Sequence, residues 1–125
     1  MRLRNKGTKM KTYHGTDRKF ETPDSARFGT STEMESDGSA VLGFWSTEDI
    51  DYARDYAANA GGDTILECEV DSSEYEHVQY EDLRNMEEDA IAYYKSLKGL
   101  VVHHGSSSEK IEYCSIDLST VKIIG

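Results

Sequence analysis

The sequence predicts an α+β domain, and three observations carry that prediction. Short apolar or alternating runs recur at residues 9–14, 41–45, 64–70, 100–103, 110–116 and 121–124. Two stretches with helical spacing interrupt them, one after Trp45 and one from Tyr80. Strands and helices do not alternate regularly, which argues against a doubly wound sheet. A chain of 125 residues fits a single domain, 1–125, with one modest core. Eight tyrosines and three phenylalanines supply buried area that the 37% apolar content would otherwise lack.

The elements follow in order. Residues 9–14 form a strand that leads into a Gly15-Thr16 turn. Residues 20–40 are polar and weakly periodic, hence irregular with a short helical piece. After the apolar run 41–45, Ser46 fits a helix N-cap, with Glu48 in the first turn and Asp49 three residues on. Ala53, Tyr56, Ala57 and Ala60 share one helical face, and Gly61-Gly62 ends the helix. In 64–70, Leu66, Cys68 and Val70 alternate with Glu67 and Glu69, which is a strand. Residues 80–98 predict a second helix with Leu83, Met86, Ala90, Tyr94 and Leu97 inward and Gly99 closing it. Three strands complete the chain, with 104–109 as a hairpin loop.

The formal net charge is −10 and uneven. Residues 1–11 hold five basic side chains and no acid, leaving 9 basic groups against 24 acidic ones. So acidic a body is a poor non-specific binder of nucleic acid. Residues 1–8 read as a basic, solvated arm. Cys68 and Cys114 fall in apolar runs and read as buried thiols in a reduced compartment. No apolar run reaches the ~18 residues of a membrane span, and no signal peptide is evident. The expectation is a cytoplasmic, soluble protein.

Several chemistries lack their residues. No G-x-G-x-x-G or P-loop pattern follows a strand, and no serine sits in a nucleophile elbow. His103-His104 are neighbours in a strand and point to opposite faces, so they do not form a metal site. Metal ligation is not expected.

Three segments together suggest a different chemistry. They are Tyr13-His14-Gly15-Thr16, then Gly43-Phe44-Trp45-Ser46-Thr47-Glu48 with Ala53-Arg54-Asp55-Tyr56, then Glu112-Tyr113-Cys114-Ser115-Ile116-Asp117. In this order they resemble the signature segments of ADP-ribosyltransferases, in the branch shared by poly(ADP-ribose) polymerases and diphtheria toxin. Small stand-alone transferases of bacteriophages, one of them an anti-CRISPR protein, are similar as well. The resemblance covers residues 10–124. It implies two small, mainly antiparallel sheets in a split β-sandwich with two main helices, and NAD as substrate.

The resemblance also implies roles. His14 would bond the ribose of the adenosine half, and Gly15 would let its backbone meet the nicotinamide carboxamide, with Thr16 beside them. Tyr56 and Trp45 would sandwich the cationic nicotinamide, Trp45 standing where the family usually has a tyrosine. Trp45 keeps the stacking face and lacks the phenol hydroxyl. Arg27 would approach the diphosphate. Glu112 would accept from the 2′-hydroxyl of the nicotinamide ribose and stabilise an oxocarbenium-like state. The implied reaction is transfer of one ADP-ribose from NAD to a macromolecule, with release of nicotinamide, the acceptor being a host protein or defence component in a phage or bacterial setting.

Each residue alone also has an ordinary reading. His14 can simply end a strand, and Tyr56 and Trp45 can simply fill the core. Glu112 lies between Ile111 and Tyr113 and is either paired, functional, or solvent-facing on an edge strand. Two other functions therefore stay open: an NAD glycohydrolase, and a catalytically silent acidic module that docks on a basic partner.

Overall fold

The computed structural model describes residues 9–16, 42–59, 61–83, 86–104 and 110–124. The basic arm, the 20–40 segment with Arg27, and Ala60 lie outside the described residues. The fold is α+β: the described residues form a seven-stranded mixed sheet with two helices. In chain order the elements are β1 (Lys9–Thr16), β2 (Phe44–Thr47), α1 (Ile50–Asn59), β3 (Thr64–Asp71), β4 (Glu76–Gln79), α2 (Glu88–Lys95), β5 (Gly99–His104), β6 (Lys110–Ser115) and β7 (Val121–Ile123). The spatial order is β4-β5-β6-β2-β1-β3-β7. Among the described strands, only the β4–β5 pair is parallel.

Where two small sheets were expected, the described strands form one hydrogen-bonded sheet. Its two parts are joined unequally. β1 and β3 pair along eight positions, from Lys9 opposite Asp71 to Thr16 opposite Thr64. β1 and β2 share a single register pair, Tyr13 opposite Thr47. The sheet is therefore narrowest in its pairing at the β1–β2 seam.

The two-residue period of a strand assigns every side chain to a face. One face carries Phe44, Leu66, Cys68, Val70, Val101, Tyr113 and Val121, packed with Tyr75. The other carries Trp45, Leu100, Val102, Cys114 and Val78, covered by Leu42 and Leu83. Met86, Ile91, Tyr94 and Leu97, in and around α2, pack against this second cluster. Cys68 and Cys114 are free, buried thiols, and burial pushes both upward, Cys68 to about 12.

α1 lies against β1, and that approach explains Gly15. A Cβ there would fall 1.9 Å from the Ala53 carbonyl oxygen and 2.7 Å from the Ala57 nitrogen. Ala53 and Ala57 form the buried stripe of the helix. Its end is a Schellman arrangement. Gly62 N–H donates to the Ala57 carbonyl at 2.9 Å, Gly61 N–H to Ala58 at 3.0 Å, and Gly61 has φ +87°.

Four local points differ from what the sequence predicts. Ser46 is not the N-cap of α1. Its strand continues to Thr47 because Ser46 and Thr47 pair with Tyr113 and Glu112. Asp49 caps instead, its Oδ1 accepting from the backbone N–H of Asp51 at 2.9 Å and of Tyr52 at 3.3 Å. The single helix expected over 80–98 is a 3₁₀ turn, Tyr80–Leu83, and then α2. Leu83, Met86, Tyr94 and Leu97 do all pack on the core, so the apolar spacing was informative and continuity was not. β4 was not anticipated, since Val78 is its only buried residue. Gly99 opens β5 rather than closing a helix, and its missing Cβ leaves room for the Tyr75 ring, whose atoms would stand 2.4–2.6 Å away.

Candidate functional site

β6 carries Glu112 into the interior, where it is 1% exposed. Thr47 of β2 and Val102 of β5 flank it in register. A carboxylate so buried costs several kcal/mol unless it is partnered. Its partner is His104, at the end of β5, whose Nε2 donates to Glu112 Oε1 at 2.7 Å. His104 stands two positions along β5 from Val102, so hairpin register puts both side chains on one face. Its ring stacks on Tyr80, centroids 4.6 Å apart at 23°, and meets Tyr52 edge-on at 6.0 Å and 88°.

α1 supplies the other wall. Tyr52 and Tyr56 are four residues apart, so they lie one above the other on the helix, with ring centroids at 5.2 Å. Burial, and next the negative charge of Glu112, raise both phenols, Tyr52 to about 12. Both remain protonated donors beside the carboxylate at neutral pH. Thr47 fixes the helix to this place. Its Oγ1 donates to the Ile111 carbonyl at 3.1 Å and accepts from Asp49 N–H at 3.2 Å. Glu112 Oε2 is buried and meets no donor in hydrogen-bond geometry, although the Tyr52 and Tyr56 hydroxyls interact with the same carboxylate. A native acceptor left in this state calls for an explanation, and a ligand hydroxyl is one.

The remaining residues of interest sit elsewhere. Tyr13, Thr47 and Glu112 are linked in register and share a face, so His14, the neighbour of Tyr13, points to the opposite face. There it stacks on Phe44 at 4.2 Å, and its Nδ1 donates to the Trp45 carbonyl at 2.6 Å. That bond crosses the β1–β2 seam. Burial holds the His14 imidazole below its ordinary value, partly offset by this bond. Thr16 is buried at the end of β1, opposite Thr64. Trp45 is on the Glu112 face, but its ring belongs to the apolar cluster with Leu100, Val102 and Cys114. The structure thus joins Glu112 and Tyr56 directly, keeps Trp45 in the adjoining core, and places His14 across the sheet.

Sequence reasoning missed His104, Tyr52 and Tyr80 as members of the site. Tyr52 was readable in principle, as the residue one helical turn before Tyr56. His104 was not, because the hairpin register depends on the loop that follows it. His103 does take the other face, as its position beside His104 required. There its Nε2 lies 2.9 Å from His77 Nδ1, with the rings stacked. Among the described residues, no three His, Cys, Asp or Glu side chains gather in a way that would hold a metal ion, and no helix is long and apolar enough to cross a membrane.

Compared with protein-family models, with curated proteins and with solved structures, the chain gives no match.

Proposed function

We propose that this protein is a mono-ADP-ribosyltransferase that uses NAD, releases nicotinamide and modifies a macromolecule. One observation carries the reading: the buried Glu112 carboxylate, with Oε1 held by His104 and Oε2 meeting no donor in hydrogen-bond geometry, beside the Tyr56 ring. In this reading Oε2 accepts from the 2′-hydroxyl of the nicotinamide ribose. Its charge lies next to the C1′ carbon, where positive charge develops as the glycosidic bond breaks. Tyr56 offers an aromatic face to the nicotinamide.

The order of the three sequence segments supports the same reading. So does the weakly paired β1–β2 seam, which is where the split between the family's two sheets would fall. His14 contributes there by clasping the Trp45 carbonyl, and meets the dinucleotide only if it runs past the end of the seam. The acceptor is proposed to be a host or defence protein.

The test is incubation with NAD labelled in the adenylate part, alone and with cell lysate, following nicotinamide release and label on macromolecules. Glu112→Gln keeps the side-chain size and removes the charge. The expected result is labelled protein with wild type and a loss on the order of 10²–10³-fold with the variant. Free ADP-ribose without labelled protein identifies an NAD glycohydrolase instead. No nicotinamide release by wild type under any condition overturns both.

A further inference from the structure

Glu112 is sealed at the bottom of its site, while the side chain of the residue bonded to it is 20% exposed. His104 is thus the outer member of a carboxylate–imidazole pair. Its Nε2 is committed to Glu112, which leaves Nδ1 as the nitrogen with a lone pair in the neutral ring. Tyr80 stacked on one side and the edge contact from Tyr52 fix the plane in which Nδ1 lies. The titratable groups facing the imidazole are Glu112 from β6, Tyr52 from α1 and Tyr80 from the 3₁₀ turn, with Tyr56 adjoining Glu112 and Tyr52. Lys110 stands opposite it in register.

We propose that His104 is a catalytic residue of this site, the general base for the acceptor, and that the acceptor group is a protein side-chain hydroxyl. The proposal rests on the transferase reading above. In the step, the bond from C1′ to the nicotinamide nitrogen breaks, and its electron pair stays on the departing neutral nicotinamide. The acceptor oxygen forms the new bond to C1′, and its proton passes to His104 Nδ1 and then to solvent. Glu112 holds the ring in the tautomer that can accept and stabilises the imidazolium that results.

The chemistry of the pair selects the acceptor. A carboxylate acceptor carries no proton to remove and would be repelled by Glu112. A guanidinium is too weak an acid for an imidazole to deprotonate. A hydroxyl needs a base of this strength at the moment of attack.

The test compares wild type, His104→Gln and His104→Ala across pH, with NAD and lysate. Gln retains an N–H donor for Glu112, so the buried carboxylate keeps its partner, and circular dichroism checks the fold. His104→Gln is expected to lower kcat for transfer on the order of 10²-fold, with KM for NAD little changed. It should also abolish the acid-side limb of the pH–rate profile. Imidazole in the buffer should restore part of the rate to His104→Ala. The linkage to protein should resist neutral hydroxylamine, which cleaves ADP-ribosyl esters of carboxylates. An unchanged rate and pH limb in His104→Gln overturns the role of His104 while leaving the transferase reading standing. A hydroxylamine-labile product overturns the hydroxyl acceptor. Wild type that releases no nicotinamide overturns the transferase reading, and the role of His104 with it.

Discussion

Glu112 and His104 share a 2.7 Å hydrogen bond in which the carboxylate is the buried partner and the imidazole the outer one. Removing one member of a buried pair leaves the other uncompensated, which typically costs about 3–5 kcal/mol. His104→Ala is therefore expected to destabilise the fold by roughly that amount. The double variant His104→Ala/Glu112→Gln should cost less than the sum of the two single changes. Urea unfolding of all four proteins measures the coupling; strict additivity would mean that the pair is not energetically linked.

Gly15→Ala tests the packing of α1 on β1. Its Cβ would meet helix backbone at 1.9 Å, and backbone cannot swing aside as a side chain does. The change is expected to cost about 3 kcal/mol or more. Thermal unfolding reads it directly.

Trp45→Tyr would install the tyrosine usual in the family that the sequence resembles. The structure predicts a loss. Trp45 is 8% exposed and packs with Leu42, Val78, Leu100, Val102 and Cys114 in an apolar cluster that a smaller ring would fill less well. A loss of roughly 0.5–3 kcal/mol follows from the changed packing. A lower Tm without faster nicotinamide release is the expected pair of results, and a faster enzyme would show that the ring reaches the substrate.

Tyr75→Phe serves as a control outside the site. The Tyr75 hydroxyl donates to Ser115 Oγ at 2.7 Å and shares a 2.6 Å bond with Thr120 Oγ1, tying β6 to the turn before β7. Its removal should cost about 1–3 kcal/mol because Ser115 is fully buried. Specific activity of the folded fraction should not change.

His14 gives stability a pH dependence of known sign. Burial lowers its folded-state value below the ordinary 6.5, so the unfolded chain takes up the proton first as pH falls. Its contribution is complete above about pH 6.5 and is lost as pH falls toward the folded value, at no more than about 1.4 kcal/mol per pH unit. His14→Gln can keep a donor for the Trp45 carbonyl and lacks the titration. The difference in unfolding free energy between the two proteins should narrow on acidification; a constant difference from pH 7 to pH 5 would contradict the assignment.

The sequence alone determined the α+β class, five of the seven strands, the Gly61 stop of α1 and four of the five inward residues expected around α2, Ala90 being the exception. Local chemistry fixes these: a period of two or of about 3.6, and a glycine where φ is positive. It also placed His103 and His104 on opposite faces, for the same reason. The sequence marked Glu112 as a carboxylate in an apolar strand but left open whether it was paired. Only the tertiary structure decided that. Alternation sets sides within one strand, whereas register between strands depends on connections that carry no such period. Pairing Val102 with Glu112 brings His104 to the carboxylate, and pairing Tyr13 with Thr47 sends His14 to the far face. A shift of one residue in either pairing would turn the histidine it places to the other face relative to Glu112, which is why no reading of the chain by itself could assign them.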